Sequence, residues 1–223
     1  LSTKKTNFIS AKMYNYGKCT NNIVYSMARP LCKQCNFSLS TCICSAITRV
    51  NNQTQVIILQ HPSEAKVSKN TAQLLALGLT HCKIIRGENN QDFASLQNLP
   101  IESSVLLYPS ESAVKLDRPN SKENLQEITH LIVIDGTWNK AFKILQLTSL
   151  LQQFKTVSFS HIPTNRYAIR KAPRADSLST LEAVAHSLWL IEALNPAPLY
   201  GLLEELIKKQ TQHMPAHVKA RYL

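Results

Sequence analysis

Glycine is scarce in this chain, with 5 in 223 residues. No Gly-x-Gly-x-x-Gly is present, and no glycine-rich loop ends in Lys-Ser or Lys-Thr. Those loops are the common backbone cradles for dinucleotides and nucleoside triphosphates, so their lack argues against a Rossmann dinucleotide enzyme or a nucleotide triphosphatase. Acid is missing from the first part of the chain. The first carboxylate is Glu64, and Lys4, Lys5, Lys12, Lys18, Arg29, Lys33 and Arg49 precede it uncompensated. Long apolar runs are missing as well: none approaches the roughly 18 residues of a membrane span. The N-terminal lysines are not followed by the apolar stretch of a secretory signal. A cytoplasmic protein with no membrane partner is expected.

What is present is positive charge, a net +11 at pH 7. A protein so basic is expected to meet an anionic partner, and a basic N-terminal region suits contact with a phosphate backbone. Residues 1–24 are polar, rich in asparagine and without period, which predicts a disordered basic arm. Residues 25–50 hold Cys32, Cys35, Cys42 and Cys44 in the spacing C-x2-C-x6-C-x-C. In a cytosolic chain such crowding points to metal rather than disulfides. Two short pairs can close a tetrahedral zinc site, and four sulfurs leave no open position, so the site would be structural. The alternative is a set of free thiols. Cys19 and Cys82 stand apart and read as ordinary residues.

Residues 51–223 alternate apolar runs with amphipathic segments, which predicts an α/β domain with a largely parallel sheet and flanking helices. Strands are expected at Gln55–Gln60, Cys82–Ile85, Ser104–Tyr108, His130–Asp135 and Thr156–Phe159. Asn70 and Gln73 have the spacing that opens a helix with reciprocal capping, and Ser179-Thr-Leu-Glu182 is a capping box that opens a helix running to about Leu194. A helix is also expected from about Thr137 to Leu151, and a last one from about Leu199 to Gln210. Pro196 and Pro198 are expected to end the helix before them.

Two strands end in related loops, His61-Pro-Ser-Glu64 and Tyr108-Pro-Ser-Glu111. A third ends in Asp135-Gly-Thr-Trp138. Ligands of open α/β sheets collect beyond the carboxyl ends of strands, so Asp135 is a carboxylate placed where chemistry tends to occur. Asp-Gly is also ordinary turn chemistry, and Trp138 at a helix start reads first as core. The loop from Ile162 to Arg174 carries Arg166, Arg170, Lys171 and Arg174 with Tyr167 interleaved and no acid. That mixture suits RNA, with charge for phosphates and a ring for stacking.

Taken in order, these segments resemble the DTW-domain family, the tRNA-uridine aminocarboxypropyltransferases. The matching pieces are the four cysteines, His61–Glu64, Asn70-Thr71, Tyr108–Glu111, Asp135–Trp138, Arg170-Lys171 and Ser179-Thr-Leu-Glu-Ala183, which together reach from residue 29 to 194. One departure is Ser38, where the family often has a proline between the cysteine pairs. The resemblance implies a SPOUT-like fold whose C-terminal part is knotted. It implies transfer of the 3-amino-3-carboxypropyl group of S-adenosylmethionine to N3 of a uridine in tRNA, releasing methylthioadenosine. An in-line attack can fall on any carbon of a sulfonium, and the pocket decides which one it presents. N3 must lose its proton to become nucleophilic, and Asp135 is the candidate either as base or as the residue that orients a partner. Tyr108, Pro109, Ser110, Glu111, Gly136, Thr137, Trp138, Ser179, Thr180 and Glu182 would line the donor pocket, with backbone N–H groups at helix starts open to the donor carboxylate. His61 and Glu64 would sit beside the acceptor, and Arg166, Arg170, Lys171, Arg174 and the basic zinc segment would grip tRNA. Two other readings share the same residues: a SPOUT-like methyltransferase using the same donor, and a non-enzymatic zinc-containing RNA-binding protein.

Overall fold

In a computed structural model of the chain, six strands form one sheet in the order β2-β1-β5-β3-β6-β4, with every neighbouring pair parallel. The structure describes residues 30–119, 127–167, 169, 177–212 and 214–219. The strands are β1 (Gln55–Gln60), β2 (Cys82–Arg86), β3 (Ser104–Leu107), β4 (Val114–Lys115), β5 (His130–Asp135) and β6 (Lys155–Ser158). The helices are α1 (Ala72–Gly78), α2 (Trp138–Leu147), α3 (Thr180–Glu192), α4 (Ala197–Thr211) and α5 (Ala216–Lys219).

The strands are rich in β-branched residues because both faces of the sheet are covered. Alternate residues divide between two cores. Val56, Ile58, Val105, Leu131, Val133 and Val157 face α1, α3 and α4 through Leu74, Leu75, Leu181, Leu188, Leu199 and Leu203. Ile57, Leu59, Leu106 and Ile132 face the opposite way, against Ile144 of α2 with Phe93, Leu96, Leu151 and Phe154. The cysteine segment belongs to the first core: Cys35, Phe37 and Ile43 are buried in the same cluster as the leucines of α4.

The five expected strands are all present, and β4 was not expected. It has two residues, too few to show an alternation. The helix expected to reach Leu151 stops at Leu147 and gives way to a 3-10 turn over Ser149–Gln153. Pro196 and Pro198 do not end α3. That helix stops at Glu192 because Ala193 takes a left-handed backbone, φ 55°, and its N–H bonds back to Leu188 and Trp189. The prolines open α4 instead, Pro196 as its N-cap and Pro198 in its first turn, where a missing N–H costs nothing. Left-handed alanine carries a penalty of about 1 kcal/mol that glycine avoids. Ala193→Gly should therefore raise the melting temperature by about 2–4 °C, measured by calorimetry.

Candidate active site

β5 is the third strand of the sheet, flanked by β1 and β3. The two Pro-Ser-Glu loops follow β1 and β3, so they stand on either side of the turn that follows β5. Asp135, the last residue of β5, is 3% exposed. A carboxylate at that depth needs donors, and it has three. Thr180 Oγ1 donates to Oδ1 at 2.6 Å. Asn70 Nδ2 and Gln60 Nε2 donate to Oδ2 at 2.6 Å and 3.0 Å. The backbone N–H of His61 donates to the Asp135 carbonyl at 3.0 Å. The two amide donors are held from behind: Arg86 Nε donates to Gln60 Oε1, and the Ala72 N–H donates to Asn70 Oδ1. Asn70 thus serves helix start and carboxylate together, and the expected reciprocal cap with Gln73 does not form, since Thr71 is the N-cap residue.

In front of this cluster lies a cavity of about 350 Å³, mostly apolar, at the carboxyl ends of β3, β5 and β6. Tyr108, Pro109, Gly136, Thr137, Trp138 and Thr180 of the expected donor residues line it. Trp138 is not core: it is 44% exposed at the cavity wall, with its indole N–H 3.5 Å from Ser177 Oγ. Burial raises the Tyr108 hydroxyl above its ordinary pKa. Gly136 sits in a close turn, where a Cβ would come within 3.1 Å of the Lys140 Cβ, tighter than most such contacts.

The other expected donor residues do not line the cavity. Ser110 turns toward Thr156, 3.0 Å away, and Glu111 is exposed. Ser179 and Glu182 form the capping box, and Glu182 Oε1 also accepts the Arg166 N–H. Three N–H groups at the start of α3 are used inside the protein: Leu181 donates to Thr71 Oγ1, Glu182 to Ser179 Oγ and Ala183 to the Ser179 carbonyl.

His61 and Glu64 lie behind the Gly136 turn. His61 Nδ1 accepts the Ser63 N–H, and Nε2 lies 2.7 Å from Glu88. Glu64 pairs with Lys140 at 2.7 Å, and Lys143 holds Glu88 below the ordinary carboxylate range. Arg166 is exposed, its guanidinium 4.4 Å from the Tyr200 ring centroid. Tyr167 is not free to stack on a base: it is 1% exposed and its hydroxyl donates to the Lys69 carbonyl. Arg170, Lys171 and Arg174 lie outside the described residues.

Gln60 and Lys115 are the site residues that the sequence pattern did not single out. A polar residue ending an apolar strand was the available signal for Gln60. Lys115 sits on β4, too short a strand to place it.

The sulfurs of Cys32, Cys35, Cys42 and Cys44 all lie within 4.8 Å of one another, a group that can hold a metal ion. Two of the separations are 3.6 Å and 3.7 Å. Sulfurs around one zinc at about 2.3 Å would stand about 3.8 Å apart, so the donor set fits. The turn between Cys32 and Phe37 depends on Asn36 at φ 59°. The Cys35 and Gln34 N–H groups aim at the Cys32 sulfur and lower its pKa to about 6. Cys44, desolvated and facing the other sulfurs, is pushed up to about 12.

The DTW domain matches residues 29–212. The chain belongs to the DTW-domain family. Relatives are named tRNA-uridine aminocarboxypropyltransferase 2. The Drosophila melanogaster protein is 33% identical over 74% of this chain and 68% of its own length. The Macaca fascicularis protein is 29% identical over 83% and 65%. The chain thus spans about two thirds of these DTW relatives. The Arabidopsis thaliana tRNA-uridine aminocarboxypropyltransferase A is 23% identical over 83% of each chain. No solved structure matches the sequence. No helix among the described residues is long and apolar enough to cross a membrane.

Proposed function

We propose that this DTW protein is a transferase that moves the 3-amino-3-carboxypropyl group of S-adenosylmethionine to N3 of a uridine in tRNA. The observation that carries this reading is the cavity at the carboxyl ends of β3, β5 and β6, joined to a family whose relatives are named for aminocarboxypropyl transfer to tRNA uridine. The cavity fits the donor in size and character: about 350 Å³, apolar walls, an exposed indole and a few hydroxyls. The donor supplies an activated carbon on a sulfonium, with methylthioadenosine as leaving group.

Asp135 does not itself line the cavity, whereas Thr180 does. The Thr180 hydroxyl hydrogen is given to Asp135, so the lone pairs of its oxygen remain to accept from a bound molecule. Placed there, the N3–H of the uracil meets an acceptor whose own hydrogen already points at a carboxylate. A proton can then shift along N3–H···Oγ1–H···Oδ1 as the nucleophile forms. Asp135 is on this reading a positioning residue that acts through Thr180. Gln60 and Asn70 keep the carboxylate from turning away. Trp138 at the wall would pack on a flat ring, and Tyr108 closes the opposite side.

The basic loop around Arg166 would contact the tRNA backbone, together with Arg170, Lys171 and Arg174. Tyr167 and Asn165 fasten that loop to Lys69 and Ser177. The metal held by the four cysteines would be zinc, cross-linking a segment that has little regular structure of its own. A SPOUT-like knotted path belongs to this reading through the family resemblance alone. A reducing cytoplasmic setting belongs to this reading because four cysteines crowded into one segment suit a metal rather than disulfides.

Nucleoside mass spectrometry tests the reading. Unmodified tRNA incubated with protein and S-adenosylmethionine should yield a uridine carrying an aminocarboxypropyl group. A methylated nucleoside would favour the methyltransferase reading, and unaltered nucleosides despite tRNA binding would favour a binding protein.

A further inference from the structure

Among the described residues Lys115 is the single charged one that lines the cavity. It reaches the cavity from β4, where it pairs in register with Ser158 of β6. Its ammonium donates to Ser158 Oγ at 2.7 Å, and Ser158 is itself 5% exposed. Among the described residues no carboxylate forms an ion pair with Lys115. The nearest acid in sequence, Asp117, is committed elsewhere, accepting the N–H groups of Ser160 and His161. A half-buried ammonium has three hydrogens, and here one of them has a partner. A cation between apolar walls with no counter-ion is poorly solvated, and a bound anion offsets that deficit.

We infer that Lys115 seats the α-carboxylate of the donor and so fixes which way the donor lies in the cavity. The inference rests on the donor proposed above. That molecule carries two positive groups, the sulfonium and the amine, and one negative group. A fixed cation at one end of the cavity attracts the carboxylate and repels the sulfonium, so one orientation is favoured over its reverse. At the start of α3 the Leu181 and Glu182 N–H groups already have partners, which leaves the start of α2, without a side-chain cap, as the competing anion site. Orientation matters here more than in methyl transfer, because the reacting carbon lies on the same chain as the carboxylate. Holding that chain selects the carbon presented to the acceptor.

The test is equilibrium binding by calorimetry, without turnover. Three probes are compared: S-adenosylmethionine, its decarboxylated form and methylthioadenosine. The proteins are the wild type, Lys115→Met and Lys115→Arg. The wild type should prefer S-adenosylmethionine over the decarboxylated form by about tenfold or more. Lys115→Met should lose that preference while binding methylthioadenosine as the wild type does, and Lys115→Arg should restore part of it. A preference that survives Lys115→Met overturns the inference and moves the carboxylate to the uncapped start of α2. Equal loss of all three probes would also overturn it, making Lys115 a structural residue. Loss of tRNA affinity alone, with a shallower salt dependence, would assign Lys115 to a phosphate. Failure of the wild type to bind any probe would sink the donor reading itself, a result distinct from failure at Lys115.

Discussion

Asp135→Asn should lower aminocarboxypropyl transfer by about 100-fold or more while the protein remains folded. The physical reason is the direction of one hydrogen. In the wild type Thr180 donates to Asp135 and keeps its oxygen open to the cavity. An asparagine at 135 must place its NH2 group against one of three donors. Gln60 and Asn70 cannot easily reverse, because their oxygens are held by Arg86 and by the Ala72 N–H. The new NH2 therefore turns to Thr180, which becomes an acceptor for it and presents a hydrogen to the cavity. The uracil N3–H then faces a donor. The stability loss from one reversed bond is about 1–2 kcal/mol, a fall of about 2–8 °C in melting temperature.

The same account separates positioning from direct proton removal. Thr180→Ala should reproduce most of the Asp135→Asn loss, and the double variant should lose little more, because the two residues act as a unit. Thr180→Ser keeps the hydroxyl and should stay within about tenfold of wild type. If Thr180→Ala is nearly as active as wild type while Asp135→Asn is dead, Asp135 meets the substrate itself and the relay through Thr180 is wrong.

Cys35→Ser should have the largest effect on stability. Cys35 is fully buried, and its neighbours Phe37 and Ile43 share one core with Leu199 and Leu203 of α4. Purified protein should carry about one zinc per chain, and the variant should carry none. A ligand present at a thousandfold over its dissociation constant contributes about 4 kcal/mol to stability. Its loss from a chain of this size lowers the melting temperature by about 8–16 °C. Because the segment packs on α4 and not on the cavity, methylthioadenosine binding by the folded variant should be nearly unchanged. Freshly reduced wild-type protein that contains no metal and melts as Cys35→Ser does would restore the free-thiol reading.

The sequence pattern placed β5, its terminal Asp135 and the capped start of α3 because each has a local signature: a β-branched run, an Asp-Gly break, a Ser-x-x-Glu box. It did not place the partners of Asp135. Gln60 and Asn70 lie 75 and 65 residues away in the chain, and nothing local marks them as donors to a shared carboxylate. Tyr167 was read as a stacking ring because it sits among arginines, and the fold buries it through contacts with the start of α1, which no local pattern encodes. Trp138 reads as core from its place at a helix start and as a donor-pocket residue from the family resemblance, and it is found at the cavity wall. It opens α2 beside Ala141, and both line the cavity, so the face that position 138 shares with the helix borders the cavity there rather than packed core. Lys115 was invisible because two residues cannot display a strand.

The central claim is that the cavity presents the aminocarboxypropyl carbon, not the methyl, to a tRNA uridine. The most direct measurement is the identity of the small product after incubation of the protein with S-adenosylmethionine and unmodified tRNA. Methylthioadenosine, formed in step with uridine modification and absent without tRNA, is the predicted result. S-adenosylhomocysteine in its place would contradict the account.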